Sequence, residues 1–226
     1  MPAIAQFSET GIDPSIRGYL HTPDVSNGSG LILTHGAGSN AQAPLLIALA
    51  ETFCATGFTV LRCDLPYRQV RSFGPPGLGD AARDRAGLKN AIAVMKKLVT
   101  GKVFLGGHSY GGRQSSMLCA EEPDLVPALL LLSYPLHPPR KPEQQRTQHL
   151  PDLRTTALFV SGTRDPFGTV AELQQALKMI PAKTQLLAIE GAGHDLGFKG
   201  KAKQAELPQQ IFSEFTKFLE MSSSSK

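Results

Sequence analysis

The chain has 226 residues, of which 41% are hydrophobic and 19% are charged, and its 23 basic and 19 acidic side chains give a net charge of +4. These proportions are those of a globular protein and exclude disordered and fibrous classes, while the basic residues are too dispersed to predict nucleic-acid binding. Because α/β folds of about 200 to 250 residues commonly form one unit, we expect a single domain over residues 1–220 and a disordered tail over 221–226.

The chain shows no signal for export or for membrane insertion. Residues 1–11 lack the basic start and apolar run of a secretory signal. The most apolar stretches, 44–50 and 126–136, are shorter than the ~20 residues that cross a bilayer. The cysteines show no metal-ligand spacing, which indicates reduced core residues in a cytoplasmic protein; they are Cys54, Cys63 and Cys119.

The first predicted elements are two short strands at 4–7 and 16–21, which suit an antiparallel hairpin at a sheet edge. The turn-rich segment 24–30 joins them to the rest of the chain. Six apolar runs then have the length and composition of strands buried on both faces. These runs are 31–34, 58–62, 103–105, 128–132, 157–160 and 185–189.

Helical periodicity fills the gaps between the strands, most clearly over 80–98, with Asp80 as the predicted N-cap. The apolar face of that segment consists of Leu88, Ala91, Ile92, Met95 and Leu98. The other predicted helices are 44–54, 110–121, 170–179 and 205–219. This alternation indicates a mostly parallel, doubly wound sheet of about eight strands. Two irregular stretches, 65–79 and 135–151, are either walls of a binding site or ordinary connections.

A nucleophile motif follows the predicted strand at 103–105. Its G-x-S-x-G pattern lifts a serine above a sheet on a sharp strand-to-helix turn. Glycines flank the serine, where the backbone doubles back, and a predicted helix follows. The motif reads Gly107-His108-Ser109-Tyr110-Gly111. Ser109 is therefore the predicted nucleophile, and His108 receives no catalytic role.

An acid and a base follow in the chain order that this turn requires. Asp165 lies after the strand at 157–160, and His194 lies after the strand at 185–189. A serine hydroxyl needs an imidazole to take its proton, and the imidazole needs a carboxylate on its other nitrogen. We expect a Ser109–His194–Asp165 triad. Asp165 alone also suits a turn or cap, and Asp195 is too close in sequence to His194 to replace it.

The oxyanion of an acyl-transfer intermediate needs two backbone N–H donors. The residue after the nucleophile, Tyr110, supplies one. The glycine-rich segment after the strand at 31–34 supplies the other, with Ala37 favoured over Gly36 or Gly38. His35, in the same segment, is predicted to be a structural hydrogen-bonding residue.

The chain resembles the dienelactone-hydrolase-like group of small α/β-hydrolases, and within it the bacterial relatives of the testis-expressed and NSL-complex-subunit proteins. With Gly193 and His194, four segments carry this likeness and cover most of the chain: Leu33-Thr34-His35-Gly36-Ala37-Gly38, Phe104-Leu105-Gly106-Gly107-His108-Ser109-Tyr110-Gly111, Leu132-Ser133-Tyr134-Pro135-Leu136-His137-Pro138 and Leu158-Phe159-Val160-Ser161-Gly162-Thr163-Arg164-Asp165.

The resemblance implies an α/β-hydrolase fold without a large cap domain and maps a triad onto the same three residues. Dienelactone hydrolases proper use a cysteine nucleophile, whereas this chain has Ser109. Some animal relatives are subunits of chromatin complexes, which implies an alternative role as a catalytically silent scaffold.

Candidate substrate contacts follow two further strands. Arg68 and Arg71 come after the strand at 58–62, at the sheet edge where α/β sites lie. They either clamp a substrate carboxylate, with Arg113 as a third candidate, or are ordinary charges paired with Asp64, Asp80 or Asp84. Tyr134 and His137 follow the strand at 128–132 and are candidates for the opposite wall.

The sequence thus predicts a serine hydrolase, of the carboxylesterase or dienelactone-hydrolase-like type, that cleaves small esters or thioesters. It contains no metal constellation, phosphate loop or dinucleotide fingerprint. We therefore expect no cofactor and no metal, and a small-molecule substrate as the partner rather than nucleic acid or membrane. The sequence leaves the oligomeric state open.

Overall fold

One eight-stranded sheet organises the molecule, which a computed structural model describes over residues 2–198 and 201–223. The strands are β1 (Ala3–Glu9), β2 (Ile16–Thr22), β3 (Gly30–Thr34), β4 (Thr59–Cys63), β5 (Val103–His108), β6 (Ala128–Leu132), β7 (Thr156–Gly162) and β8 (Thr184–Ile189). The helices are α1 (Pro44–Ala55), α2 (Pro66–Val70), α3 (Asp80–Leu98), α4 (Tyr110–Glu121), α5 (Val170–Leu177) and α6 (Lys201–Ser223).

The strand order is β1-β2-β4-β3-β5-β6-β7-β8. From β4 to β8 all neighbours are parallel, whereas β1 and β2 pair antiparallel at one edge. The predicted doubly wound sheet and its edge hairpin are confirmed. Because β5 lies between β3 and β6, the loops that leave all three strands meet at one point on the carboxyl edge of the sheet.

Two hydrophobic cores cover the two faces of the sheet. Helices α1 and α6 pack on one face, and α3, α4 and α5 pack on the other. Every residue of β3, β4 and β6 is buried, because helices cover both faces of these strands. Alternate residues of β6 serve opposite cores, with Leu129 in one and Leu130 in the other. The three cysteines are buried and free, as predicted.

Helix α3 has the predicted bounds but differs from the prediction at both ends. Its N-cap is Gly79, which adopts a φ of 94°, and Asp80 is its first residue. The Asp80 carboxylate instead accepts hydrogen bonds from the Gly77 N–H and from Arg71, so it still places negative charge at the positive end of the helix. Leu98, assigned to the apolar face, is 47% exposed, whereas Met95 in the same turn is fully buried.

The long connections contain more regular structure than the sequence indicated. Helix α2 lies inside the stretch 65–79, where Pro66 occupies the first turn that suits its fixed φ. A short 3-10 turn, Leu150–Asp152, ends the stretch 135–151. The predicted disordered tail is wrong for residues 221–223, which continue α6, while 224–226 lie outside the described residues. In the part of the chain that the structure describes, none of the helices combines the length and apolar character needed to cross a bilayer.

Candidate active site

The turn between β5 and α4 holds Ser109 in a strained backbone conformation. Its φ of 51° and ψ of −117° are rarely adopted by residues with a side chain, at a cost of about 1 to 3 kcal/mol. The turn is so tight that a Cβ on Gly107 would lie 2.7 Å from backbone atoms of Gly111 and Gly112. The Ser109 N–H donates to the carbonyl of Leu132 over 2.8 Å, which ties the turn to β6.

The structure brings Ser109, His194 and Asp165 into one hydrogen-bonded chain. The distance between Ser109 Oγ and His194 Nε2 is 2.8 Å. His194 Nδ1 lies 2.8 Å from Asp165 Oδ2 and 3.0 Å from Asp165 Oδ1. The loops after β5, β7 and β8 supply the three residues, as the sequence predicted.

The protonation of this chain follows from its partners. Because a carboxylate only accepts hydrogen bonds, Asp165 requires the proton of a neutral His194 to sit on Nδ1. This leaves Nε2 as an acceptor that faces the hydroxyl of Ser109. Asp165 is itself 5% exposed and accepts a hydrogen bond of 2.9 Å from the Phe167 N–H, which fixes the carboxylate. The arrangement can withdraw a proton from the serine.

Two residues that the sequence did not single out hold His194. The ring of Phe167 lies over the imidazole, with 4.2 Å between ring centroids and 31° between planes. His108 Nε2 lies 2.8 Å from the carbonyl oxygen of His194. Burial lowers the pKa of His108 to about 4, so the ring is neutral at pH 7 and donates its Nε2–H to that carbonyl. No pattern in the sequence distinguishes these contacts, because both depend on how separate loops meet.

The loop after β3 lies against the serine turn. A Cβ on Gly36 would be 3.3 Å from the Ser109 Cβ, and the Gly111 N–H donates to the carbonyl of His35 over 3.1 Å. Tyr110 begins α4, so its N–H has no acceptor within the helix. Among the described residues, neither this N–H nor that of Ala37 has a hydrogen-bond acceptor in the chain. Tyr110 directly follows Ser109, and Ala37 follows Gly36 in the loop that lies against the serine, so both N–H groups remain candidates for the predicted donor pair.

His35 is a structural residue. Its Nδ1 donates to the carbonyl of Gly36 over 2.9 Å, and its Nε2 accepts the Leu65 N–H over 3.1 Å. These partners use both ring nitrogens and fix one neutral tautomer. Consistent with this, burial lowers the pKa of His35. The imidazole links the loop after β3 to the segment after β4.

The position of Arg68 argues against its predicted role as a carboxylate clamp. It is 7% exposed, and its guanidinium donates to the carbonyls of Ser39 (2.7 Å), Ala37 (3.0 Å), Gly74 (2.8 Å) and Arg71 (3.1 Å). Four of its five N–H groups therefore serve the backbone. Arg68 braces the loop that carries Ala37 instead of facing a ligand.

A buried carboxylate is hydrogen-bonded both to the first residue of α4 and to α2. Asp84, which is fully buried, accepts the Tyr110 hydroxyl over 2.7 Å and the Tyr67 N–H over 3.0 Å. The Tyr67 hydroxyl in turn donates to the carbonyl of Ala37 over 2.8 Å. Burial raises the pKa of Asp84, whereas its two hydrogen bonds oppose that rise. In the sequence Asp84 was a candidate only as a partner for arginine, because nothing there indicates that it binds Tyr110 and Tyr67.

Arg71 is paired with an aspartate, which is the second of the two roles that the sequence left open for it. Its side chain forms an ion pair with Asp80, and both side chains are partly exposed. Such an exposed pair contributes little to stability. It contacts neither Ser109 nor His194, so the structure favours the ordinary surface charge over the clamp.

Tyr134 and His137 do not line the region around Ser109. Tyr134 is 2% exposed, packs on Phe159 with 5.8 Å between ring centroids, and donates its hydroxyl to the carbonyl of Arg146 over 2.6 Å. His137 is also buried, and its backbone N–H donates to the carbonyl of Phe167 over 3.0 Å. His137 therefore reaches His194 only through Phe167. Both predicted wall residues belong to the interior, because the loop after β6 folds inward.

Of the cavities in the described part of the chain, one lies at each end of the central strands. The larger, of about 1090 Å³, lies at the amino ends of β5 and β7, where Val103 and Thr156 contribute to its wall. It is remote from the Ser109 turn. The smaller, of about 290 Å³, adjoins that turn and is lined by His35, Gly36, Ser39, Ala43, Pro44, Leu45, Leu46, His108, Asp195 and Phe198. Neither of the irregular stretches predicted as walls lines it.

A family model described as "Alpha/beta hydrolase domain" matches residues 27–220. Solved structures are similar over nearly the whole chain. A dienelactone hydrolase from Anabaena variabilis is 22% identical, with a TM-score of 0.74 and coverage of 95% of this chain and 97% of that chain. An alpha-beta serine hydrolase homologue from Coxiella burnetii is 15% identical, with a TM-score of 0.74 and coverage of 93% and 96%.

A third similar structure is Est1E from Butyrivibrio proteoclasticus. It is 16% identical, with a TM-score of 0.73 and coverage of 95% of this chain and 99% of that chain. At these identities the likeness is one of fold.

Proposed function

Because this chain belongs to the alpha/beta hydrolase domain family and has the fold of these hydrolases, we propose that it is a serine hydrolase that cleaves small esters or thioesters. In this proposal Ser109 is the nucleophile, His194 is the base and Asp165 orients the base. The observation that carries it is the continuous hydrogen-bonded chain from Ser109 Oγ through the imidazole to Asp165, with 2.8 Å at each step.

The reaction proceeds in two halves. Ser109 Oγ attacks the substrate carbonyl while His194 Nε2 takes its proton, and the imidazolium that forms is stabilised by Asp165. The N–H groups of Tyr110 and Ala37 bind the oxyanion of the tetrahedral intermediate, and each such donor contributes about 3 to 4 kcal/mol in other hydrolases. His194 then protonates the leaving group. Water, activated by the same imidazole, hydrolyses the acyl-enzyme and frees Ser109.

Two finer aspects rest on the sequence. The likeness to the testis-expressed and NSL-complex-subunit proteins is inferred from the four quoted segments and stays a prediction. A cytoplasmic location is inferred from the reduced cysteines and also stays a prediction.

A fluorophosphonate probe together with p-nitrophenyl acetate and butyrate tests the function. The wild-type protein should be labelled and should hydrolyse the esters. Ser109→Ala should lose labelling, and its kcat should fall on the order of a millionfold, because no other group replaces the nucleophile. Ser72→Ala removes an exposed hydroxyl instead and serves as the matched control, with unchanged rates expected.

The outcome also decides the alternative role. If the folded wild-type protein is neither labelled nor active on the esters, the enzyme is rejected and the catalytically silent scaffold is favoured. Labelling that persists in Ser109→Ala would move the nucleophile to another residue.

A further inference from the structure

The cavity of about 290 Å³ lies beside the turn that carries Ser109. Gly36 belongs to its wall, and a Cβ on this residue would lie 3.3 Å from the Ser109 Cβ. His108, the residue before the serine, and Asp195, the residue after His194, also line it. The cavity therefore adjoins both the turn that carries Ser109 and the loop that carries His194.

The outer wall of the cavity is apolar. Leu45 and Leu46 come from the first turn of α1, and Phe198 comes from the loop after β8. Leu45 and Phe198 are each 7% exposed, and Leu46 is fully buried. Burial of apolar surface against such walls is favourable and non-directional, so the cavity selects by size and polarity. Its volume lies at the low end of the range for small-molecule sites, about 300 to 1,000 Å³.

The described residues that line the cavity include few charged side chains. None of its described lining residues is a lysine or an arginine, and Asp195 is the acidic residue among them. Both ring nitrogens of His35 serve the backbone, as described above. A carboxylate placed here would lose its hydration against the apolar wall, and none of the described lining residues would offer it a cationic partner.

We propose that this cavity is the acyl pocket of the enzyme and that it takes a small, uncharged aliphatic group. The inference rests on the proposed function, since it assigns the group attached to the carbonyl carbon that Ser109 attacks. It also specifies the substrate class: neutral short-chain acyl esters or thioesters, and not esters of dicarboxylic acids.

The test compares kcat/KM for p-nitrophenyl esters of increasing acyl length. From acetate to butyrate the rate constant should rise about fourfold per methylene, the value of burying one methylene group. The mono-p-nitrophenyl ester of succinic acid matches the butyrate ester closely in length but carries a carboxylate, and it should react at least tenfold more slowly than butyrate. Alkyl acetates, which vary the alcohol instead, should show no such trend.

Two variants change the pocket itself. Ala43→Phe adds a ring at the rim and should remove the advantage of butyrate over acetate while acetate is still hydrolysed. Its matched control is Gln42→Phe, at the exposed neighbouring residue outside the lining, which should keep the wild-type preference. Leu45→Ala should enlarge the pocket and shift the preference toward longer acyl chains. Thermal unfolding of each variant verifies that it is folded.

A binding measurement separates failure of the pocket from failure of the function. Straight-chain methyl ketones, from acetone to 2-octanone, are titrated calorimetrically into Ser109→Ala with and without Ala43→Phe. Affinity that rises with chain length and is lost with Ala43→Phe supports the pocket even if no ester is hydrolysed. Equal rates for butyrate and succinate esters, or a preference unchanged by Ala43→Phe and Leu45→Ala, would overturn the proposal while leaving ester hydrolysis intact.

Discussion

His108 shows how a single side chain joins two parts of the candidate site. It precedes the proposed nucleophile in sequence, and its Nε2–H binds the carbonyl of the proposed base, His194. The lowered pKa of His108, about 4, keeps the ring neutral and its donor in place across the physiological range. We therefore interpret His108 as a positioning residue that acts through the His194 backbone.

Removal of this hydrogen bond should affect turnover more than substrate binding. His108→Leu should lower kcat about ten- to a hundredfold, because small displacements of a catalytic group have effects of this size. KM for the acetate ester, whose acyl group uses little of the cavity that His108 also lines, should stay within about twofold. His108→Gln, which retains an N–H donor, should recover part of the loss. Steady-state kinetics on both variants provides the measurement. Equal losses in the two would assign His108 a purely structural role.

At the scale of residues, the sequence predicts the candidate catalytic residues better than the residues that hold them in position. Ser109, Asp165 and His194 were identifiable because their order and their strands restrict where they meet. Phe167 and His108 were not, since their contacts arise from the packing of unrelated loops. Arginines in a loop give no indication of whether they face a ligand or a row of carbonyls, so the two roles left open for Arg68 did not include the bonds to backbone carbonyls that it makes.

At the scale of elements, the first turn of α4 and the loop after β3 form one unit. The Gly111 N–H donates to the carbonyl of His35, and a Cβ on Gly111 would lie 2.6 Å from that oxygen. The proposed oxyanion donors, Tyr110 and Ala37, flank this contact in the sequence. The spacing between them therefore depends on how closely the helix approaches the loop.

Gly111→Ala should separate the two elements. The added methyl group should destabilise the fold by about 1 to 3 kcal/mol and should lower kcat by more than tenfold, because one oxyanion donor moves away. Urea unfolding and ester kinetics give the two values. Gly11→Ala, whose Cβ would meet only a side-chain oxygen of Glu9 at 3.2 Å, is the control and should change neither. Full activity in Gly111→Ala would contradict the proposed donor pair.

Three elements were predicted with the bounds that the structure shows. The bounds of β6, α3 and α4 match the prediction because long apolar runs or clear periodicity mark them. The five-residue helix α2 was missed, since it is too short to show a period. Leu98 was misassigned, since it fits the period of the helix but is 47% exposed at the last residue of α3.

Across the whole molecule, several histidines are held neutral by burial. The pKa values of His21, His108 and His149 are each lowered to about 4, with burial as the largest cause. An unfolded chain would bind protons at these residues near pH 6.5, whereas the folded chain would not until about pH 4. Stability should therefore fall as the pH falls from about 6.5 toward 4.

His21 permits a direct test of this coupling. It is 1% exposed, and its Nε2 accepts a hydrogen bond of 2.8 Å from Arg62 Nε, whose charge further lowers its pKa. His21→Gln preserves an acceptor but does not titrate. Between pH 7.5 and 5.0 the free energy of unfolding of the wild-type protein should decrease by about 1 to 2 kcal/mol more than that of His21→Gln. Urea denaturation at the two pH values provides the measurement. An equal decrease in the free energy of unfolding of the two proteins would contradict this expectation.

The brace formed by Arg68 has a consequence for how this chain can diverge. Because the guanidinium binds the carbonyls of Ser39 and Ala37, it reads no side chain in that loop. Ser39 and Ala37 can therefore change side chain without loss of these two hydrogen bonds, whereas His35 and Gly36 in the same loop are held by contacts of their own. Arg68 itself lacks that freedom, since a lysine has no planar fork with which to hold several carbonyls at once. Tolerance to substitution is thus expected to be higher at Ser39 and Ala37 than at Arg68, which holds both of them.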